Sequence, residues 1–410
     1  MEVFNNNNVT SYRRFYKPTV MYRWLFKRFD RLPISAIEVA GPDGIARKIG
    51  KPVNNNPIPR ITIYRQRAIF KVLKDGMLGW AEAYINNDWD TPDLFALTNW
   101  AMANEQALES GFQGTFFSKM LNRLFHLLRP NSRSGSKKNI AAHYDLGNSF
   151  YQQWLDRSMT YSSAIYEKED DSLEQAQSHK YQRIIKLLKL QEQQSVLEIG
   201  CGWGGFAEAA LKKTPLAHYK GITLSLEQLA YVKNKLKKVN LNGTVCLEDY
   251  RDVSGQYDRI VSIEMIEAVG EARWGTYFQT IANRLQSSGM AVIQAITIED
   301  ERFEDYRQGV DFIQKHIFPG GMLPSDSKIR SHVKHAGLKI EYMTSFADDY
   351  ARTLEAWYNR FNDRWAEISK LGFDNHFRRM WNYYFAYCQA GFKSGSIDVS
   401  LYVLTKDNPL

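Results

Sequence analysis

From residue 139 to the C-terminus, short apolar runs alternate with stretches whose apolar residues recur every three or four positions. Runs of this kind predict strands and the recurring spacing predicts amphipathic helices. Strands are expected at 195–199, 217–222, 244–248, 257–263, 289–296, 338–346 and 398–404. Helices are expected at 149–154, 172–189, 205–213, 225–239, 274–285, 325–336, 348–370 and 373–391. Strands that alternate with helices build a largely parallel sheet covered on both faces, an α/β fold. The earlier part of the chain differs. Pro42, Asp43 and Gly44 separate two apolar stretches, as in a hairpin. Residues 60–66 read as a strand, and 68–87 and 92–109 as helices, the second opened by Thr91, Pro92 and Asp93. Residues 129–138, RPNSRSGSKK, are polar, basic and Gly/Ser-containing, the pattern of a linker. The expected organisation is an N-terminal α+β domain over 1–128, a linker over 129–138 and a larger domain over 139–410.

Composition narrows the function classes. No apolar run approaches the ~20 residues of a membrane span, and the polar start, MEVFNNNN, is no secretory signal. Cys201, Cys246 and Cys388 make neither a disulfide framework nor a metal cluster. His316, His332, His335 and His376 have no ligand spacing, so no metal is expected. These features predict a cytoplasmic protein. The net charge of +8 implies an acidic partner, either nucleic acid or an anionic membrane surface. Residues 11–31 hold seven basic residues, seven aromatics and one acid. This segment reads equally as a helix lying on anionic lipid through Trp24, Phe26 and Phe29, or as a helix packed on its own domain.

The candidate chemistry begins at Ser195–Ile199, an expected strand followed by Gly200, Gly202, Gly204 and Gly205 and then by a helix. Glycines let the backbone turn tightly and approach a ligand at the carboxyl edge of a parallel sheet. Glu198 in the strand end gives E-x-G-x-G-x-G, which is not the dinucleotide spacing. Cys201 reads as a small packing residue. After the next strand, Ser225 and Gln228 have the spacing of a capping box, with Thr223 just ahead. Glu248 to Asp252 follows the third strand, either as a mixed-charge loop or as a carboxylate and an aromatic, Tyr250, for a ligand ring. Glu264 and Glu267 stand where the fourth strand gives way to a turn or helix. Either faces the reacting end of a ligand, or serves as a helix-start acid.

The glycine turn is similar to that of S-adenosylmethionine-dependent methyltransferases. A longer series resembles the cyclopropane fatty acid synthase family and its mycolic acid relatives. It comprises AAHYDLGNSFYQQWLD (141–156), MTYSSAIY (159–166), VLEIGCGWGG (196–205), GITLSLEQ (221–228), DYRD (249–252), YDRIVSIEMIEAVG (257–270), FIQKHIFPGGMLPS (312–325) and YARTLEAWYNRF (350–361). The N-terminal module fits the longer, phospholipid-acting branch. The resemblance implies a class I methyltransferase, a Rossmann-like fold with a seven-stranded mostly parallel sheet. A helical lid would start at His143, Tyr144 and Asp145. It implies S-adenosylmethionine as methyl donor, held by Tyr161, Ser162, Gly200, Gly202, Gly204, Thr223, Gln228, Tyr250 and Arg251. Many methyltransferases carry an acid at the second strand end, where this chain has Thr223 and Gln228.

The activity implied is methylene transfer to the cis double bond of an unsaturated acyl chain in a membrane phospholipid, forming a cyclopropane. The family's base is a bound bicarbonate, which carries over to Glu267, Tyr350 and the backbone of Ile296. The family's usual Cys falls at Ser163 and its usual His at Gln294. Ser and Gln still hydrogen-bond but supply no charge. That departure opens an alternative, C-methylation to a methyl-branched or exomethylene chain. An anionic phospholipid surface, peripheral association with the inner face of the membrane and a homodimer are expected, and nucleic acid is not. The competing readings are a methyltransferase for a small soluble substrate and a lipid- or nucleic-acid-binding module with a vestigial pocket.

Overall fold

The computed structural model describes residues 29–53, 58–111 and 146–407. The basic segment up to residue 28, the linker 129–138 and the lid residues His143, Tyr144 and Asp145 lie outside the described residues. So does the expected domain boundary. The chain divides into two compact units, Met1–Gly114 and Thr115–Leu410.

The first unit holds four strands, β1 (Ile37–Ala40), β2 (Ala46–Ile49), β3 (Arg60–Ile63) and β4 (Trp89–Asp90), in the order β2-β1-β3-β4. The hairpin expected around Pro42–Gly44 joins β1 to β2, with Ala40 opposite Ala46. Helix Arg67–Ile85 bends at Gly76, whose φ is 59°. The helix expected over 92–109 is two, Leu94–Ala103 and Glu105–Gly111. Asn104 divides them. Its side chain donates to the Trp100 carbonyl and to Ser35 Oγ, and accepts from the Ser35 N–H. A polar side chain that bonds nearby backbone competes with helix continuation.

The second unit is built on β5 (Ser195–Ile199), β6 (His218–Thr223), β7 (Thr244–Leu247), β8 (Tyr257–Ile263), β9 (Leu285–Ile298), β10 (Leu338–Ser345) and β11 (Ile397–Lys406). Their order is β10-β11-β9-β8-β5-β6-β7, with β11 antiparallel to both neighbours. The β5–β6, β5–β8, β6–β7 and β8–β9 pairs are parallel. Successive side chains of a strand point to opposite faces. Leu197, Ile260 and Ile293 therefore pack with Trp274, Tyr277 and Phe278 on one face. Val196, Val261 and Val292 pack with Tyr181, Ile184 and Phe206 on the other. Burial on both faces explains why these strands read as continuous apolar runs.

Between β5 and β8 the strand order reverses, and ligands of such sheets bind at the carboxyl ends there. Three short helices were not legible in the pattern: Ile266–Val269, Asp300–Gln308 and Phe312–His316. Helix Asp300–Gln308 buries only Phe303, so it carries almost no apolar period. The helix expected over 348–370 is interrupted at Arg364 into Ala347–Asp363 and Trp365–Lys370.

Candidate active site

At the end of β5 the chain turns under Gly200 (φ 81°), Gly202 (φ 50°) and Gly204 (φ 75°), then enters helix Gly205–Lys213. The Gly200 and Cys201 N–H groups both donate to the Ile222 carbonyl at 3.0 Å, tying the turn to the end of β6. A Cβ on Gly200 would sit 2.3 Å from Met265 Cγ, so glycine is needed there for space as well as for φ. A Cβ on Gly202 would meet nothing within 4 Å. Gly204 gives the helix no side-chain cap, which leaves its first N–H groups for an electron-rich ligand edge. Cys201 is buried, as its packing role requires.

Glu198 lies beneath this turn, where burial pushes its carboxyl up to about 8. Tyr219 donates a short hydrogen bond to it. Lys180, also fully buried, is driven down to about 7 by desolvation and donates to Ser162 Oγ at 2.6 Å. Sequence reasoning missed Lys180, because it occupies an ordinary position in an amphipathic helix, Leu173–Leu187.

At the end of β6, Thr223 Oγ donates to Gln228 Oε1 at 2.7 Å and accepts from the Ser225 N–H at 3.1 Å. Ser225 caps the next helix through the Gln228 N–H, as expected. The reciprocal half of the capping box is absent, since Gln228 is turned to Thr223. After β7, Glu248 pairs with Lys220, and Asp249 takes Arg251 at both oxygens, 2.7 and 2.5 Å. Tyr250 is 7% exposed and packs edge-on against Tyr277 in the core. In this position the ring packs in the core rather than standing open to a ligand. Tyr161 donates to the Tyr384 hydroxyl at 3.0 Å, within a cluster of Tyr151, Trp154 and Trp357.

The expected catalytic residues converge at the end of β8, with Glu264 at their centre. Glu264 Oε1 accepts from the Ser163 N–H at 2.8 Å and from Gln294 Nε2 at 2.7 Å. Its Oε2 accepts from the Tyr350 hydroxyl at 2.8 Å. Glu267 Oε1 accepts from the Ile296 N–H at 2.5 Å, and its buried Oε2 has no partner. The Ser163 hydroxyl donates to the Ala164 carbonyl, so only its backbone faces the carboxylate. Thr353 Oγ accepts the Ala164 N–H at 3.1 Å and fixes that loop.

Burial raises Glu267 to about 8, with the charge of Glu264 adding to the effect. Burial raises Glu264 as well, against the pull of Lys180 and its three donors. Both carboxyls are thus pushed toward the protonated form by burial, and Glu264 differs from Glu267 in having three donors and the Lys180 charge that favour its ionised form. The PGGM segment holds Glu267 in place, its Met322 N–H donating to the Glu267 carbonyl at 2.8 Å. Among the described residues no group of three or more His, Cys, Asp or Glu is placed to hold a metal ion. Among them too, no helix is long and apolar enough to cross a membrane.

The glycine cradle, the uncapped helix start and the β6 end fit a nucleoside-sized donor bearing a methionine arm. Bicarbonate does not fit. Three of its five expected donors bond the Glu264 carboxylate, and the other two, Glu267 and Ile296, bond each other.

The chain matches the mycolic acid cyclopropane synthetase family over residues 131–402. It is 35% identical over 376 residues to tuberculostearic acid methyltransferase UfaA1 of Mycobacterium tuberculosis, covering 86% of this chain and 84% of that one. It is 34% identical over 360 residues to cyclopropane-fatty-acyl-phospholipid synthase of Escherichia coli, covering 86% and 89%. Among solved structures, the cyclopropane synthase MmaA2 from Mycobacterium tuberculosis superposes with a TM-score of 0.62 at 29% identity, over 66% of this chain and 98% of that one. The mycolic acid cyclopropane synthase CmaA1 complexed with SAH and CTAB gives the same TM-score of 0.62 and 29% identity, over 66% and 98%. A strand order with one antiparallel insertion, a glycine cradle and matches of this extent leave one assignment: the chain is an S-adenosylmethionine-dependent, lipid-modifying methyltransferase of the mycolic acid cyclopropane synthetase family.

Proposed function

We propose that the protein adds a one-carbon unit from S-adenosylmethionine across the cis double bond of an unsaturated acyl chain in a membrane phospholipid, closing a cyclopropane ring. One observation carries this reading. An ionisable carboxylate, Glu264, is hydrogen-bonded to Tyr350, which stacks on Phe392 at 4.4 Å and meets Trp357 edge-on at 6.1 Å. A base beside aromatic faces suits a reaction that passes through a carbocation, because aromatic faces stabilise a cation and exclude water that would quench it.

When bound, S-adenosylmethionine supplies an electrophilic methyl. Gly200, Gly202, Gly204, Thr223 and Gln228 would hold it, with Tyr161 and Ser162 closing its methionine side. The π pair of the alkene forms the new C–C bond as the methyl–sulfur bond breaks, its electrons staying on sulfur. A proton must then leave the new methyl group, and its C–H pair closes the ring. Similarity to a phospholipid synthase and the charge of +8 support an anionic bilayer as the place of reaction.

A second reading keeps the methyl transfer but not the closure. It is favoured by the neutral Gln294, whose Oε1 is buried without a partner, and by similarity to a tuberculostearic acid methyltransferase. If the proton is lost only after a hydride shift, the product is an exomethylene chain. Proton NMR of acyl chains recovered from cis-unsaturated phospholipid vesicles, after incubation with S-adenosylmethionine, separates the two. High-field ring protons are expected. Olefinic methylene signals would move the assignment to C-methylation, and unmodified chains would overturn both.

A further inference from the structure

We propose that Glu264 is a built-in proton acceptor, its side-chain carboxylate standing where an exogenous bicarbonate was expected, so that turnover requires no bicarbonate. This rests on the proposed methyl transfer to an alkene and names the group that completes it. A carboxylate and a bicarbonate offer the same planar pair of acceptor oxygens. The Ser163 N–H, Gln294 Nε2 and the Tyr350 hydroxyl are satisfied by the Glu264 pair at 2.7–2.8 Å. These three come from segments 101, 30 and 86 residues away in sequence, so their convergence on one side chain is a property of the fold. The remaining two groups, Glu267 and the Ile296 N–H, are bonded to each other.

The carboxylate is equipped for the step. Oε1 accepts two hydrogen bonds and Oε2 only that of Tyr350, so Oε2 keeps a lone pair for a proton. The backbone of Glu264 has φ 50°, a left-handed conformation that costs a non-glycine residue about 1–3 kcal/mol and persists only when its surroundings hold it. The three side-chain hydrogen bonds and the Glu264 N–H to the Gln294 carbonyl, 2.9 Å, do so. The balance closes without a co-reactant. The alkene π pair forms the C–C bond, the sulfur keeps the electrons of the broken bond, and Glu264 Oε2 takes one methyl proton as the C–H pair forms the last ring bond. That proton passes to solvent before the next turnover.

The test uses the full-length enzyme in carbon-dioxide-depleted buffer, with and without added bicarbonate, and ¹³C-bicarbonate binding followed by NMR. Wild-type turnover is expected to be the same with and without bicarbonate, and the wild type should give no bound ¹³C signal. Glu264→Gly relieves the left-handed strain and empties the carboxylate position. It should lose about 10²–10⁴-fold in turnover, bind ¹³C-bicarbonate and regain part of its activity when bicarbonate is added. Glu264→Gln fills the position without a basic oxygen, and should be as slow but not rescued. Calorimetric S-adenosylmethionine binding reports that each variant is folded. Bicarbonate-dependent wild-type turnover, bicarbonate bound to the wild type, or near-normal turnover in Glu264→Gln would each overturn the proposal. If the wild type modifies no unsaturated acyl chain, the proposed function fails, and the ¹³C comparison of wild type with Glu264→Gly still decides whether Glu264 occupies the bicarbonate position.

Discussion

The cofactor end of the site and its reacting end are built in different ways. At the cofactor end several bonds are local, Thr223 to Gln228 spanning five residues and Arg251 to Asp249 two, while the glycine turn is tied to the end of β6 through Ile222. At the reacting end the bonds to Glu264 and Glu267 span from 29 to 101 residues. A local motif carries its own geometry wherever the chain takes it. A carboxylate assembled from distant segments depends on the whole sheet, and a change at one segment can be answered at another. Here the neutral Ser163 and Gln294 are matched by a carboxylate, Glu264, just past the end of β8.

Among changes outside Glu264, the largest effect should come from breaking the local end. Gly200→Val forces a β-branched residue to φ 81° and drives its Cβ into Met265. Calorimetry should show S-adenosylmethionine affinity falling by about 100-fold, roughly 3 kcal/mol, while the fold survives by circular dichroism. Unchanged affinity would detach the turn from the cofactor.

Next in size, Tyr350→Phe removes one donor from Glu264. Turnover should fall by about tenfold or more with cofactor affinity unchanged. A donor to the ionised form holds a carboxyl down, so its loss raises Glu264 further, and the acid limb of kcat should move to higher pH. A limb that stays in place would show that Glu264 does not govern it.

Glu267→Gln should be milder, with turnover within about tenfold of wild type, because an amide resembles the protonated acid that burial enforces. Its clearer mark is on stability. Glu267 has a folded value near 8 against 4.5 for the free group. Its contribution is present below pH 4.5 and is lost as pH rises through about 8. Thermal melts of the variant should therefore decline less than those of wild type across that window. Parallel declines would place the proton elsewhere.

The smallest effect sharpens the local end. Thr223→Val removes the hydroxyl that holds Gln228, worth roughly 1 kcal/mol. Cofactor affinity should weaken about fivefold in the same calorimetric assay, and no change would leave Gln228 positioned by Ser225 alone.

Legibility followed the same division. The strands β5 and β8 were readable almost to the residue because both their faces are largely buried, giving apolar runs bounded by turns. Helix Asp300–Gln308 was not, because burial of Phe303 alone leaves no period to read. The glycine turn and the Thr223–Gln228 pair were legible as local geometry because their spacing sets it. Glu264 was visible only as one of two acids at a strand end. Tyr250, expected at the ligand, packs in the core, since nothing in a local string distinguishes an inward from an outward aromatic.

By itself the sequence determined the alternation of strands and helices, the place of the glycine turn and the family, because each is written in patterns shorter than about twenty residues. Only the tertiary structure decided which carboxylate receives Ser163, Gln294 and Tyr350. Those donors meet through the side-by-side placement of β8 and β9 and the reach of Tyr350 from helix Ala347–Asp363 to Glu264, and no local spacing encodes that meeting.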